Sequence, residues 1–415
     1  MKYSPQNDPN GLSKIMAIIL LLSMVLLGVF PLDVILPSFP ALAGHFGTST
    51  SDIALSISLF VVCVAVSQIL LGPLSDSLGR KPLLMGGIAL AIIGALGCIH
   101  ATEYWAFLLF RVMQALGCGC FVLANALVQD IFSGAQRDRV RILVITASGV
   151  FISTSPLAGT WLQAMFDWPG SFYVFCAVAA LILIQAALSL KPLAPEARRQ
   201  TDFIQSYRKI AASPAFLGYS IIAAIAFACH FSFIVVSPII FLDLLQLSQL
   251  QFSMVLFGYG AAYIAGGLLA SALNSRLGYE RQMLGGVALT ALAGALLLGM
   301  NACMELGVWA ILLPMILCTT GTTLSRPAAT GCAMDKFPSN AGAASSMLNS
   351  VVFLLGGAIS AVLSLASANP GMSLGLGFVL LSAIATFIAL ATFKSERKHL
   401  GSDAEVHQHA HRIGD

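Results

Sequence analysis

The stretch GPLSDSLGRK, Gly72 to Lys81, separates two long apolar runs of the chain. It contains one acid, two bases and two glycines within ten residues. Each flanking run is long enough to cross a lipid bilayer, which needs about 20 apolar residues. A short charged turn between two such runs predicts a pair of membrane-spanning helices that meet at a polar face.

The composition of the whole chain indicates a membrane protein. Of its 415 residues, 58% are hydrophobic and only 9% are charged, against about 25% charged residues in an ordinary soluble domain. The mean hydropathy is +0.89, and a soluble globule could not cover so much apolar surface with polar groups. The net charge of +3 gives no indication of a nucleic-acid partner. The nine cysteines, nearly all inside apolar runs, are typical of small core residues and predict no metal site.

The apolar runs predict an all-α integral membrane protein with twelve transmembrane helices in two pseudo-symmetric six-helix bundles. We expect an N-terminal bundle at 1–190, a cytoplasmic central loop at 191–211, a C-terminal bundle at 212–394 and an unstructured cytoplasmic tail at 395–415. The predicted spans lie near 14–37, 51–72, 83–101, 105–128, 140–163, 170–190, 215–240, 252–273, 283–301, 308–332, 342–366 and 372–393.

The positive charges support this arrangement. If both termini are cytoplasmic, nineteen Lys and Arg residues lie in inward segments and the six outward loops carry none. Cytoplasmic loops of membrane proteins are enriched in these residues, so the alternation supports both the number of spans and their orientation. The remaining two arginines, Arg111 and Arg326, lie within spans.

The two halves of the chain share an internal repeat. Residues 72–90 read GPLSDSLGRKPLLMGGIAL and residues 271–289 read SALNSRLGYERQMLGGVAL, with seven identities at a constant offset of 199. Both segments join the second and third spans of their half. Many secondary transporters are built from such repeats, with the substrate site between the repeats near the membrane midplane.

Several motifs resemble those of the major facilitator superfamily. GPLSDSLGRK matches its signature between the second and third spans, and FRVMQALGCG resembles its fourth-span motif with an embedded arginine. SPLAG, Ser155 to Gly159, resembles a shortened fifth-span antiporter motif. LDVILPSFPALA and AMDKFPSNAGAASSMLNS resemble the bicyclomycin/chloramphenicol-resistance (Bcr/CflA) branch. The resemblance implies a twelve-span fold that exchanges drugs for protons.

The GPLSDSLGRK stretch, Gly72 to Lys81, is expected to act as a gate at the cytoplasmic face. Asp76 could accept hydrogen bonds from Arg80 or from a helix N-terminus, and Asp130 could share Arg80. Such an ion-pair network can lock one arrangement of two helix bundles and release it in another. The alternative is a solvated loop pair that contributes little. The residues of this gating motif are Gly72, Asp76, Gly79, Arg80, Lys81 and Asp130.

Asp33 and Arg111 are the candidate proton-coupling residues. They lie about four and about six residues from the predicted outer ends of their spans, so their depths are similar at about 1.5 Å per residue. We infer that the two side chains approach each other. Low dielectric favours a protonated carboxylate and a nearby arginine favours an ionised one, so separating the pair would change proton affinity.

The resemblance also implies that the first-span acid binds protons and cationic substrates and that the fourth-span arginine takes part in proton coupling. The alternatives are a permanent structural pair, or an Asp33 that reaches the outer interface.

Other polar residues within spans are candidates for a substrate cavity. Arg326 either binds an anionic group of the substrate or snorkels to the inner interface or pairs with an acid there. His230 could relay protons, bind a ligand or make a helix contact. Pro156 and Gly159 are expected to bend the fifth span and let it pack closely. The cavity candidates, for which helix-to-helix bonding is the alternative, are Gln114, Asn125, His230, Arg326 and Asn349.

These observations predict a proton-coupled exporter of small molecules in a bacterial inner membrane, monomeric and with both termini in the cytoplasm. The alternatives are a dedicated exporter of an endogenous anionic metabolite such as a siderophore, or an uptake permease. No nucleotide-binding loop or nucleophile with a partner histidine suggests an enzyme. We expect no cofactor, since the proton gradient supplies the energy, and no assigned metal site in the histidine-containing tail.

Overall fold

A computed structural model describes residues 11–190, 203–337, 341–365 and 369–413, and every regular element in these ranges is a helix. Residues 191–202 of the expected central loop lie outside the described residues. Short 3-10 helices span Leu36–Ser38 and Gly119–Val122, and a π-helix spans Ile239–Leu244. The α-helices are α1 Gly11–Asp33, α2 Phe39–Phe46, α3 Thr50–Leu78, α4 Arg80–His100, α5 Tyr104–Cys118, α6 Leu123–Ile131, α7 Gly134–Phe166, α8 Gly170–Ser189, α9 Phe203–Ala211, α10 Pro214–Pro238, α11 Gln249–Cys303, α12 Val308–Asp335, α13 Ala341–Leu365 and α14 Pro370–Ile413.

The helices confirm the expected all-α membrane fold. In hydrocarbon every backbone polar group needs an internal partner, and a helix supplies one within the same segment. Among the described residues, eleven segments are long and apolar enough to cross a membrane. The remaining predicted span, near 140–163, lies within α7.

The first span is longer than the sequence predicted. Its apolar segment runs from Lys14 to Phe46, whereas an end near residue 37 was expected. Proline lacks a backbone N–H and commonly marks a helix end. Here the chain turns after Asp33, but Pro37 and Pro40 lie in the first turns of the short 3-10 helix and of α2. A missing N–H is tolerated at those positions, so the helical path continues.

The internal repeat is visible in the backbone. Gly79 separates α3 from α4 with φ 85° and ψ 154°, and Gly278 bends α11 with φ 70° and ψ 160°. Glycine adopts such angles without the steric penalty of a Cβ. Gly87 and Gly286 form a second pair at the same offset, and a Cβ added to either would lie 2.5 Å from the nearest atom of a neighbouring segment. The repeat therefore preserves both a bend and a point of close helix approach.

The chain divides into two compact units, each with its own tightly packed helices. In the first unit α4 and α5 approach closely at Gly94 and Gly117, where an added Cβ would lie 2.3 and 2.4 Å from backbone nitrogens. Small residues at helix contacts are typical of membrane proteins, because they let backbones approach. The first unit comprises Met1–Gln200 and Ser237–Ala261, and the second comprises Thr201–Val236 and Ala262–Asp415.

The C-terminal tail is helical to Ile413, not unstructured as expected. The apolar part of α14 ends at Glu396. The Glu396 carboxylate forms an ion pair with Lys336 and accepts a 3.0 Å hydrogen bond from the Tyr219 hydroxyl. These contacts fix the helical turn of α14 around Glu396, beyond which its polar extension continues to Ile413.

Candidate functional site

Asp33 ends α1 deep within the first span. Thirteen residues separate it from Phe46, the end of the apolar segment. The Asp33 side chain is 8% exposed, and within the described part of the chain it makes no hydrogen bond or ion pair. This burial does not fit the alternative of an acid that reaches the outer interface. An acid so placed is expensive to ionise and is typical of functional sites in membrane proteins.

Arg111 in α5 is buried, with 1% of its side chain exposed. Its Nη1 donates a 2.8 Å hydrogen bond to Gln114 Oε1, and its Nη2 donates a 3.2 Å bond to the carbonyl oxygen of Pro31. The guanidinium carbon also lies 4.4 Å from the centre of the Phe60 ring. Partial negative charges and a ring face therefore stabilise this cation.

The expected ion pair between Asp33 and Arg111 is absent among the described residues. The guanidinium reaches the last turn of α1 but binds the backbone two residues before Asp33. The two residues do approach each other, because the guanidinium bonds the carbonyl oxygen two residues before Asp33. In this conformation, however, the two side chains do not bond directly. Gln114, expected in a substrate cavity, is instead the side-chain partner of Arg111.

A small cavity adjoins this guanidinium, between α1, α5 and α8. Its polar lining comes from Arg111, Gln114 and Ser171, and Val34 and Ile35 line it from the turn that follows Asp33. The Arg111 Nε atom is buried and has no hydrogen-bond partner among the described residues. Donor and acceptor groups of this kind are the partners that a buried water molecule requires. The cavity thus places polar groups next to the turn after Asp33.

α7 packs directly against the same turn. A Cβ added to Gly159 would lie 2.0 Å from the carbonyl oxygen of Val34, so only glycine fits this contact. One turn earlier, the Pro156 carbonyl oxygen accepts a 3.0 Å hydrogen bond from the Ser253 hydroxyl. The Ser253 hydroxyl also lies 2.6 Å from that of Thr160. The motif at Ser155 to Gly159 therefore joins α7 both to α1 and to the start of α11 within the first unit.

The charged turn between α3 and α4 is described in part. Gly79 makes the bend, Arg80 begins α4, and the Lys81 ammonium donates 2.6 and 2.7 Å hydrogen bonds to the carbonyl oxygens of Ala187 and Leu190. Lys81 thereby caps the C-terminal end of α8, where unpaired carbonyls and the helix dipole favour a cation. The burial of Gly72 and the side chains of Asp76, Asp130 and the cavity candidate Asn125 lie outside what the structure describes.

The second unit contains the other cavity candidates. The Arg326 guanidinium in α12 lies 4.9 Å from the centre of the Phe227 ring in α10. The His230 ring lies 5.1 Å from the ring of Tyr263. Asn349 is half-buried on α13. Arg326 and His230 thus each lie against an aromatic ring of the second unit.

Sequence reasoning missed the groups that contact the two embedded arginines. Phe60 and the Pro31 carbonyl contact Arg111, and Phe227 contacts Arg326. Phenylalanines in apolar spans carry no distinguishing pattern. Pro31 offered one signal, because a proline inside a helix disturbs the local ladder of backbone hydrogen bonds.

Comparison with known proteins gives concordant matches. The sequence profile of the Major Facilitator Superfamily matches residues 16–361. The chain is 26% identical to the bicyclomycin resistance protein homolog of Haemophilus influenzae, over 89% of this chain and 95% of that protein. It is 28% identical to a chloramphenicol resistance protein of Pseudomonas aeruginosa, over 83% of this chain and 81% of that protein. It is also 26% identical to an uncharacterized MFS-type transporter, YdgK of Bacillus subtilis, over 96% of this chain and 100% of that protein.

Solved structures share the fold. The nucleoside transporter NupG aligns with a TM-score of 0.70 at 13% identity, covering 92% of this chain and 99% of that one. The xylose transporter XylE from E. coli, in a partially occluded inward-open conformation, aligns with a TM-score of 0.69 at 14% identity and the same coverage. These named structures are of transporters, not of enzymes.

Proposed function

Because the chain belongs to the Major Facilitator Superfamily, we propose that it exports small molecules in exchange for protons, with Asp33 as the group that takes up and releases the proton. The observation that carries this proposal is the position of Asp33: buried, deep within the first span and without a hydrogen-bonding or charged partner among the described residues. Lipid-like surroundings favour the neutral acid, and contact with water or a cation favours the carboxylate.

The structure offers a means of changing those surroundings. Asp33 lies at a break in the helical path, followed by a turn and a short 3-10 helix. Arg111 is bonded to the backbone just before that break. A shift of α1 against α5 would change the distance from the Asp33 carboxyl to the guanidinium. Coupling follows if the acid binds a proton in one arrangement and a substrate displaces that proton in the other.

The relatives suggest the class of substrate. Two of them are named for resistance to bicyclomycin and chloramphenicol, so we propose that this chain carries small antibiotic-like molecules. We further propose a bacterial inner membrane with both termini in the cytoplasm, which the distribution of Lys and Arg supports.

Reconstitution tests the proposal. Purified protein in liposomes containing a pH-sensitive dye would be given a pH gradient together with radiolabelled chloramphenicol or ethidium. We expect substrate and protons to move in opposite directions. Asp33→Asn should reduce gradient-driven transport at least tenfold yet retain exchange of labelled for unlabelled substrate. Glu103→Gln, which neutralises an exposed acid at the start of α5, is the matched control.

Two results would contradict the proposal. Gradient-driven transport that survives Asp33→Asn would remove the assigned proton site. Movement of substrate and protons in the same direction would indicate an uptake permease.

A further inference from the structure

Arg326 lies well inside the membrane span formed by α12. It follows Val308, the first residue of α12, by eighteen residues and precedes Asp335, the last, by nine, or about 14 Å of helix. A cation at such a depth is costly unless it has a partner or does work.

The contacts of Arg326 exclude two ordinary explanations. Within the described ranges the guanidinium forms no ion pair and no hydrogen bond. It does not reach toward the nearer helix end either. Thr322, one turn before Arg326, donates a 3.1 Å hydrogen bond to the carbonyl oxygen of Ala226, and the guanidinium lies over the ring of the next residue, Phe227. Side chains in a helix tilt toward its N-terminus, which here is the farther end.

The surroundings of the guanidinium are aromatic. Phe227 stacks on Phe231 with ring centres 5.2 Å apart and planes 12° apart, and it lies 5.3 Å from Phe353 of α13. Gly356 leaves room for the Phe227 ring, since a Cβ there would lie 2.4 Å from the ring. The ring faces are therefore held in place by close packing.

A half-buried imidazole completes the cluster. His230 lies one turn after Phe227 on α10 and packs against Tyr263. All of these residues belong to the second unit.

We propose that Arg326 and the Phe227–Phe231–Phe353 aromatic cluster form a binding site for an aromatic carboxylate. A guanidinium binds a carboxylate through two parallel hydrogen bonds, a geometry that a lone ammonium cannot reproduce. Phe353, the half-buried ring of the cluster, would receive the aromatic body of the ligand in offset or edge-to-face contact. This inference rests on the proposed transport function and narrows its substrates to include planar organic anions.

Equilibrium binding tests the site without a proton gradient. Purified protein in lipid nanodiscs would be titrated with salicylate and with salicylamide, its neutral isostere, and empty nanodiscs would give the background. We expect salicylate to bind at least tenfold more tightly than salicylamide. Arg326→Gln should weaken salicylate binding at least tenfold and leave the affinity for salicylamide unchanged, because the substitution removes only the charged guanidinium. Arg326→Lys should give an intermediate loss.

Arg281→Gln is the matched control, since Arg281 is an exposed arginine of the same unit. Thermal unfolding of each variant establishes that it is folded. If Arg326→Gln does not fold, Phe353→Leu should weaken binding of both compounds by removing the half-buried ring.

The proposal is overturned if the wild-type protein does not distinguish the two compounds, or if Arg326→Gln weakens both equally. Failure of the proposed function looks different: selective carboxylate binding would persist, while the reconstituted protein would show no proton-driven transport. Proton-driven transport of ethidium without carboxylate selectivity would instead leave the function intact and contradict the site.

Discussion

The Arg111 Nη2 atom donates a 3.2 Å hydrogen bond to the carbonyl oxygen of Pro31, and this bond joins α5 to the last turn of α1. Pro31 lies two residues before Asp33, and α1 ends immediately afterwards. The guanidinium is therefore tied to the backbone that carries the buried acid, not to the acid itself. Any movement of α1 against α5 must stretch or exchange this bond.

Arg111 and Gln114 should contribute to transport through one shared hydrogen-bond network. Arg111→Lys keeps the charge but cannot span Gln114 Oε1 and the Pro31 carbonyl with one planar group. We expect at least a tenfold loss of gradient-driven transport. Gln114→Ala should give a smaller loss, and the double variant should be no worse than Arg111→Lys, because both changes break one network. Initial transport rates in proteoliposomes measure the coupling, and simple addition of the two losses would refute it.

Gly159→Ala should destabilise the protein. Its Cβ would lie 2.0 Å from the Val34 carbonyl oxygen, so α7 would have to move away from α1. Overpacking of this kind typically costs about 1–3 kcal/mol of unfolding free energy. Gly149→Ala in the same helix is the control, because a Cβ there meets nothing within 4 Å. Thermal unfolding in detergent should show a lower Tm for Gly159→Ala alone, and equal Tm values for both variants would exclude the contact as its cause.

Lys81→Met should loosen the end of α8. The ammonium bonds two terminal carbonyl oxygens. Hydrogen bonds to charged groups contribute about 1.5–3 kcal/mol each, and less when they are half-exposed as here. We expect faster hydrogen–deuterium exchange in a peptide covering residues 182–190. Lys81→Arg should keep most of the protection. Lys209→Met, at an exposed lysine of α9, should change nothing in that peptide, and protection unaffected by Lys81→Met would show that the cap is dispensable.

Ser253→Ala should weaken the attachment of α11 to α7. The fully buried Ser253 hydroxyl donates to the Pro156 carbonyl oxygen and lies in hydrogen-bond contact with Thr160. Removing it leaves these groups without that partner, which costs about 1–3 kcal/mol. Unfolding in detergent should register the loss for Ser253→Ala but not for the exposed Ser271→Ala. A loss of similar size in both would mean that the contact has no special role.

The sequence predicted the fold well because its strongest signals are local. Long apolar runs, the positive charges between them and the repeated glycines each follow from a few neighbouring residues. The end of the first span was missed because Pro37 and Pro40 indicated a helix end, while the chain resumed its helical path beyond them. Prolines in the first turn of a helix and prolines after its last turn look alike in one sequence.

Contacts across helices were predicted poorly. A span that is apolar on all sides does not reveal which face meets which neighbour, so the partners of Arg111 could not be derived. The same limit left three hypotheses for Arg326 open, and the ring beneath its guanidinium argues against snorkelling and against an ion pair at the inner face. Close packing at Gly159 was expected from the sequence, but its partner, Val34, was not.

The matching bends at Gly79 and Gly278 form two equivalent corners of the backbone, one in each half of the chain. The shape of such a corner does not depend on which charged residues flank the glycine. The second corner achieves nearly the same angles with Ser275 and Tyr279 standing where the first has Asp76 and Arg80. Folding the corner thus requires neither an acid at the first of these positions nor a base at the second. An engineer seeking to slow the transport cycle without losing the protein should edit those charges and leave the glycines alone.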